Sequence, residues 1–255
     1  MSPPSAAAFD HNYVEANRPL VVFTPRGAFQ ERRGVAIVSS GLPVEALNWG
    51  FRRPPFDDVV ESAAAVRAAC APASLPHRLV FRGEHRDALR VLGSHDWRHR
   101  EQGSPAMTLA LPVAPPPPPP ELAIREVRTP AGIAAYGEAA FNGFGFPPRA
   151  AGLFLHERLL ELSHFRLYAG IVDGALVATS MLVATGAIAG VYWVATRPEH
   201  RGRGYGEAIT WAAVAGGQAV GCRTAFLVAS QAGFPVYARM GFVHAFEHEL
   251  LHPTA

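Results

Sequence analysis

The first 113 positions contain two kinds of hydrophobic pattern. Short apolar or β-branched runs predict strands at residues 20–23, 34–40, 77–81 and 106–111. Longer runs with apolar residues three or four apart predict helices at residues 57–71 and 84–92. Asp57 and Asp58 open the first of these helices as capping carboxylates. Asn48 and Trp49 could line a cleft, but packing is the preferred role for both. This part is predicted to be a mixed α and β domain with no catalytic constellation.

The pattern beyond residue 121 predicts a different order of elements. A strand at 122–127 precedes helices at 131–144 and 149–163, and a three-stranded meander follows over 165–196, with Asp173 and Gly174 in its first turn. A glycine-rich loop then leads into a helix that ends at Gly221, and residues 223–230 form a strand. A short helix within 231–242 completes the prediction from the pattern.

Ala114 and the six prolines that follow it separate these two patterns. A polyproline run is stiff and extended and cannot donate ladder hydrogen bonds, so residues 114–120 are predicted to be a linker. It would join an N-terminal domain at 1–113 to a second domain at 121–255. An SH3-type ligand is the alternative, but no arginine flanks the run at ligand spacing.

Composition narrows the chemistry. Of the 255 residues, 49% are hydrophobic and 17% charged, as in folded chains. The net charge of +2 does not indicate the basic surface of a nucleic-acid-binding protein. All 23 residues counted as Lys+Arg are arginines, which excludes a lysine Schiff base and a Walker loop. The distant Cys70 and Cys222 favour free thiols in the cytoplasm, and we expect neither a signal peptide nor a membrane span.

The loop at residues 201–206 carries the clearest chemical signal. Gly202, Gly204 and Gly206 leave the backbone bare at a helix start, where N–H groups and the helix dipole attract a diphosphate. A Rossmann fingerprint needs GxGxxG after a first strand and an acidic residue about 20 positions later. Here GxGxG follows a meander, and no acidic residue lies within 223–230. A kinase loop would need a lysine.

Two blocks instead resemble the GCN5-related N-acetyltransferases (GNATs). Arg201, Gly204 and Gly206 match the family's phosphate-binding signature of Arg or Gln, two residues, Gly, one residue, then Gly or Ala. Tyr237, Arg239 and the pair Gly241–Phe242 match its second block, in the same order and at the expected separation. The resemblance covers about residues 122–252. It implies an α+β fold with a mixed, splayed central sheet and flanking helices, preceded by a smaller α/β N-terminal domain.

The first half lacks the glycine loop, and the resemblance allows it to be a degenerate second copy of the fold, as in tandem family members. The resemblance also implies acetyl-CoA as the acyl donor and no metal. Pantetheine would insert between strands 191–196 and 224–229 and bond to the backbone of Val194, Ala195 and Thr196. The diphosphate would lie on a run of loop and helix residues: Arg201, Gly202, Arg203, Gly204, Tyr205, Gly206 and Glu207. Ser230 and Arg239 would also contact the coenzyme.

The expected reaction is direct attack of an amine on the thioester in a ternary complex. A backbone N–H near Val194 would stabilise the oxyanion, and the Tyr237 phenol would stabilise or protonate the leaving thiolate. Many family members carry a glutamate base on the first splayed strand, but residues 190–194 include none. Glu157 or Glu161 could act through water, or the amine could bind in its neutral form.

The acceptor is a small-molecule amine or a peptide amine. Phe141, Phe144 and Phe146 lie in the segment that walls the family's acceptor site and favour an apolar or aromatic amine, with core packing as the alternative.

Two other functions stay open at this point. One is a coenzyme A-binding module that senses or scaffolds without turnover. The other is a zinc hydrolase, since His248 to His252 spells HExxH. The resemblance implies that residues 242–251 form the family's last strand, and on a strand the two histidines would lie ~13 Å apart, too far to share one ion.

Overall fold

The computed structural model describes residues 4–32, 34–53, 58–85, 87–100 and 103–254. Within these ranges the strands are β1 (Ala28–Arg32), β2 (Val35–Ser39), β3 (Asn48–Arg52), β4 (Arg78–Arg82), β5 (Trp97–His99), β6 (Ser104–Ala110), β7 (Ala123–Glu126), β8 (Phe165–Val172), β9 (Ala175–Thr185), β10 (Ile188–Thr196), β11 (Thr224–Val228) and β12 (Val243–Pro253). The α-helices are α1 (Ala6–Val22), α2 (Val59–Cys70), α3 (Asp87–Gly93), α4 (Pro130–Phe144), α5 (Tyr205–Ala219) and α6 (Phe234–Arg239). Short 3-10 helices lie at Glu45–Leu47, Ala71–Ala73, Gly83–His85, Pro148–Leu153, Glu157–Glu161 and Pro198–His200. No described helix is both long and apolar enough to cross a bilayer.

A single sheet runs through both halves of the chain. Its strand order is β1-β2-β3-β4-β12-β6-β11-β10-β9-β8-β7, and β5 pairs with β12 beside this path. The last strand, β12, lies between two strands of the first half, β4 and β6, while β6 pairs with β11 of the second half. The two halves therefore share backbone hydrogen bonds through an exchanged strand.

The two halves repeat one topology. In the first, β2 is antiparallel to β3, β3 is parallel to β4 and β4 is antiparallel to β12. In the second, β9, β10, β11 and β6 show the same sequence of pairings. Helix α2 connects the first parallel pair and α5 connects the second. The mixed α+β fold is as expected, and the repeat supports interpreting the first half as a second copy.

Helices cover both faces of the sheet around the second parallel pair. Met181 and Val183 of β9 pack in the same core as Phe141 of α4, while Leu182 packs in a different core with Ile209 of α5. Because neighbouring residues of a strand point to opposite faces, α4 and α5 lie on opposite sides of β9. Small residues let α5 lie close to the strands. A Cβ added at Gly216 would overlap the Tyr168 side chain, and one added at Gly217 would overlap that of Ala189.

Some predicted elements are wrong. Residues 20–23 are not a strand, because residues up to Val22 continue α1, which Ser5 caps by accepting the N–H of Ala8. The predicted helix at 149–163 is two 3-10 helices, with the His156 side chain accepting the N–H of Arg158 to start the second. Helix α1 was not predicted, and neither were β1, β3 and β5, whose short stretches lack a clear alternating pattern.

The capping carboxylate of α2 is as predicted for Asp58, which accepts the N–H groups of Val60 and Glu61 at 2.7 and 3.1 Å. Asp57 lies outside the described residues. A carboxylate therefore occupies the helix start that corresponds, in the repeat, to the glycine-rich start of α5. This explains why the first half does not offer an equivalent anion site at that position.

The polyproline run lies beside α5. At one end the N–H of Val113 donates to Oε1 of Gln218 at 2.9 Å, near the end of the helix. At the other, a Cβ added at Gly204 would be 3.7 Å from Cγ of Pro119. Its exposed middle part thus spans the length of the helix. The division into domains at 1–113 and 121–255 stays a prediction.

Candidate active site

The two central strands of the second half separate after three residue pairs. Strand β10 pairs in parallel with β11 from Ile188 to Gly190 only. A Cβ at Gly190 would overlap Oδ1 of Asn12, a fully buried residue of α1. Asn12 accepts the Tyr192 hydroxyl hydrogen at 2.6 Å and donates to Val183 O at 3.0 Å. The first-half helix is therefore anchored where the strands diverge.

A β-bulge distorts β10 next to this separation. The register with β9 shifts between Tyr192 and Ala195, and Trp193 has a left-handed φ of 52°. Its carbonyl accepts the Thr179 hydroxyl at 2.9 Å, and its ring stacks on Phe141 with centroids 5.9 Å apart. A bulge changes the direction of the backbone that follows it, here at Val194. Nothing in the sequence indicated it, because left-handed backbone is rare at a tryptophan.

A cavity of about 360 Å³ opens between the separated strands. Val194, Ser230 and Tyr237 line it together, and so do Phe144 and Phe146. These predicted site residues, distant in sequence, are thus brought to one space. Phe141 is instead fully buried in the core behind Trp193.

First-half residues line the same cavity, and of these only Trp49 was considered as a cleft residue from the sequence. Trp49, assigned to packing, contributes to its wall together with Arg78 and Tyr13. Asn48 does have the structural role expected of it: it is fully buried, its Oδ1 accepts the N–H of Ser40 at 2.9 Å and its Nδ2 donates to Leu42 O at 2.8 Å.

The glycine-rich loop leads directly into α5. Gly202 and Gly204 have φ values of 77° and 78°, a region that residues with a Cβ adopt only with strain. Residues 201–204 are exposed, and no side chain caps the helix at Gly204. The first N–H groups of α5 are therefore accessible to an anion at the positive end of the helix dipole.

Two residues of the predicted phosphate site have additional contacts. Arg201 donates from Nη2 to Gly143 O at 2.7 Å and from Nε to Thr196 O at 3.2 Å, which ties the loop to the ends of α4 and β10. Tyr205 is buried, and its hydroxyl donates to Glu121 at 2.9 Å. The side chain of Tyr205 is thus committed to packing, which leaves its backbone N–H as the group available to a ligand.

Nearby polar atoms lack partners. Nε of Arg197 and Nδ1 of His200 are buried and have no hydrogen-bond partner among the described residues. Both belong to the turn between β10 and the loop. The sequence analysis did not single them out, because only the fold shows that they are unsatisfied.

Tyr237 lines the cavity from α6. Burial raises the pKa of its phenol to about 12, and a hydrogen bond with Thr210 acts in the opposite direction. The phenol is therefore protonated at neutral pH. Ser230 accepts the N–H of Gly233 at 3.1 Å, which leaves its hydroxyl hydrogen for a ligand. Arg239 is exposed at the end of α6.

The two glutamates considered as bases lie on the 3-10 helix Glu157–Glu161, are both exposed and do not line the cavity. Across the described residues, no group of three or more His, Cys, Asp or Glu side chains is placed to hold a metal ion. The HExxH segment is part of β12, as predicted, so its histidines lack the one-turn helical spacing of a zinc protease. His248 lines the cavity, whereas His252 contacts Glu45 at 3.2 Å.

Residues 135–242 match the model of the acetyltransferase (GNAT) family. The match includes both sequence blocks and the two separated strands, β10 and β11. This part of the chain is a GNAT domain. Members of this family transfer an acyl group from acetyl-CoA to amine acceptors, so the family supports an acetyltransferase. No curated protein sequence matches the chain.

Solved GNAT structures resemble the whole chain in fold. A GCN5-related N-acetyltransferase from Kribbella flavida is 18% identical with a TM-score of 0.67, over 99% of this chain and 97% of that one. Another from Sphaerobacter thermophilus is 19% identical with a TM-score of 0.61, over 87% and 78%. A tandem GNAT protein from the clavulanic acid biosynthesis pathway is 13% identical with a TM-score of 0.59, over 97% and 95%.

Proposed function

We propose that the GNAT domain transfers an acetyl group from acetyl-CoA to an amine by direct attack in a ternary complex. The observation that carries the proposal is that Val194 and Tyr237 line one cavity, which lies between the separated strands β10 and β11. A bare helix start follows the first of these strands. A coenzyme that spans the loop and the cavity would present its thioester to both groups.

The residues of the loop fit a diphosphate. Gly202 and Gly204 have no Cβ to obstruct close approach, and the N–H groups at the start of α5 supply donors. Arg197 and His200 add buried polar atoms that have no partner in the described protein and can be satisfied by a ligand. The bound coenzyme would supply an activated acyl group as a thioester.

Tyr237 would act mainly as a hydrogen-bond donor to the departing sulfur. Its pKa of about 12 lies well above the ~8.5 of an ordinary thiol, so complete proton transfer to the thiolate is uphill. Donation without complete transfer still stabilises the developing charge in a site shielded from water. The N–H of Val194, aimed by the bulge, would donate to the thioester carbonyl oxygen.

The acceptor would enter as a neutral amine. None of the described residues that line the cavity is Asp or Glu, so no carboxylate base is present in its wall. The rate should therefore rise with pH until the acceptor amine is deprotonated. The buried free thiols of Cys70 and Cys222 fit the reducing, cytoplasmic location that we also propose.

Two measurements test this function. Calorimetry with coenzyme A should show binding, and a thiol-release assay with acetyl-CoA should show turnover with at least one member of an amine library. Heat without thiol release, across the library, would support the alternative of a coenzyme-binding module. Absence of heat would contradict both.

A further inference from the structure

Two polar residues, Arg78 of β4 and His248 of β12, belong to the cavity wall that lies opposite the separated strands. Arg78 and Val80 are alternate residues of β4, and His248 and Leu250 are alternate residues of β12. Leu250 pairs with Val80 in register, and all four residues line the cavity. Arg78 and His248 therefore lie on the same face of adjacent strands, on the side that faces the GNAT domain's separated strands.

Arg78 is a mostly buried cation whose charge and N–H groups are only partly paired within the protein. Its side chain is 19% exposed, and its Nε is buried without a hydrogen-bond partner. The carboxylate it contacts belongs to Glu45, whose Oε1 is 3.7 Å from Nη1, beyond hydrogen-bond length. The other oxygen of Glu45 contacts His252 at 3.2 Å. Burying a guanidinium in this way is costly unless a further anion pairs with it.

His248 supplies a second unsatisfied group. It is 2% exposed, and its Nδ1 is buried with no hydrogen-bond partner among the described residues. Its ring lies against Tyr13 and Phe51, with centroids 4.8 and 5.3 Å away. Burial, with the charges of Arg82 and Arg78, lowers the pKa of His248 to about 3. The imidazole is thus neutral and adds no charge to the cavity wall beside Arg78.

We propose that the acceptor is an amine that also carries a carboxylate, which Arg78 binds in the cavity beside the neutral imidazole of His248. This inference rests on the proposed acetyl transfer and names its substrate class. A guanidinium and a carboxylate form paired, charge-assisted hydrogen bonds. The amine end would then extend towards Val194 and Tyr237, across the same cavity.

The rest of the wall defines what else the acceptor carries. Trp49, Phe144 and Phe146 give the cavity apolar surface suited to an uncharged side chain. A polyamine would bring positive charge next to Arg78 and would find no carboxylate among the described residues of the wall. The structure therefore favours amino acids with apolar side chains over polycations.

Matched pairs of amines test the inference. The panel holds the standard α-amino acids, their amides and the amines left by decarboxylation, such as phenylalanine, phenylalanine amide and phenethylamine. Wild type should show a kcat/KM at least about 10-fold higher for some acids than for both partners lacking the carboxylate. Equal values across every pair, or preference for the partners that lack the carboxylate, would overturn the inference.

Substitution of Arg78 tests its role directly. R78Q should lower kcat/KM for the preferred acid roughly 10- to 150-fold, the value of a charged hydrogen bond, and leave that for its decarboxylated partner within about 3-fold. R78K should lie between R78Q and wild type, because a lysine supplies charge without the paired geometry. The matched control is R128Q, which removes an exposed arginine paired with Glu126. It should behave as wild type.

Coenzyme A calorimetry and thermal melting of R78Q show whether the variant is folded and still binds the donor. A folded R78Q that keeps the full preference for the acid would refute the assignment. If wild type binds coenzyme A and uses amines without regard to a carboxylate, this inference fails and acetyl transfer stands. If coenzyme A does not bind, acetyl transfer itself fails.

Discussion

Replacing Gly204 with alanine tests the part of the site on which coenzyme binding depends. Gly204 precedes the first residue of α5 and has a φ of 78°. A Cβ there meets only Cγ of Pro119 within 4 Å, at 3.7 Å, which is an ordinary contact. The substitution therefore introduces backbone strain with little steric overlap.

The size of the effect follows from the left-handed conformation. Holding a residue with a Cβ there costs about 1–2 kcal/mol. If the loop keeps its shape, this strain lowers the free energy of unfolding by the same amount, or Tm by roughly 2–8 °C for a chain of this size. If the loop relaxes, its amides move away from the diphosphate, and the same energy corresponds to a roughly 5- to 30-fold higher Kd for coenzyme A.

Two other glycines, one at the far end of α5 and one inside it, provide controls. Gly221 lies just beyond the opposite end of α5, has a φ of 90° and would meet nothing within 4 Å, so G221A introduces similar strain far from the site. Gly206 lies inside the helix, and its added Cβ would be 3.4 Å from the Thr196 hydroxyl oxygen. G206A should leave the backbone unstrained.

Calorimetry with coenzyme A and thermal melting of the three variants separate these effects. G204A should lose affinity, G221A should lose stability alone, and G206A should keep or gain stability by about 0.5–1 kcal/mol. If G204A is destabilised as much as G221A and still binds coenzyme A with the wild-type Kd, the loop does not hold the diphosphate.

Substitutions at Tyr237, Gly190 and Asp10 test three other features of the structure. Y237F should lower kcat roughly 100-fold without changing the Kd of coenzyme A in calorimetry, and wild type should show no alkaline loss from Tyr237 below about pH 11, because the pKa of its phenol is about 12. G190A should lower the free energy of unfolding by about 1–3 kcal/mol, since its Cβ overlaps Asn12, and denaturant titrations should show a smaller cost for G190A in an N12A background than in wild type. Burial raises the pKa of Asp10 to about 6 despite Arg82, so its favourable contribution is present below about pH 4 and lost as the pH rises through about 6. D10N should therefore gain stability relative to wild type between about pH 4 and pH 8; a constant difference in urea titrations would contradict this.

Local chemistry explains what could be predicted. Gly202 and Gly204 allowed an anion-binding loop to be predicted, because glycines directly before a helix permit a left-handed backbone with exposed N–H groups. The meander was readable from its alternation and from the turn at Asp173 and Gly174, both of which have positive φ. The strand at residues 242–251 was predicted against the HExxH pattern, and β12 confirms it.

The remaining features arise from contacts between distant segments. The bulge at Trp193 depends on Thr179 and Phe141, and the separation after Gly190 on Asn12, more than 170 positions earlier. The role inferred for Arg78 likewise depends on β12, which brings His248 beside β4. None of these neighbours is visible in a local pattern.

The sequence by itself therefore determined the family, the order of most elements in the second half and the glycine-rich loop on which the proposed coenzyme site depends. These depend on residue types within a few positions of each other, where periodicity and backbone preference act. Only the tertiary structure decided that one sheet joins both halves and that the first half walls the cavity, because strand exchange and burial arise when distant segments pack together.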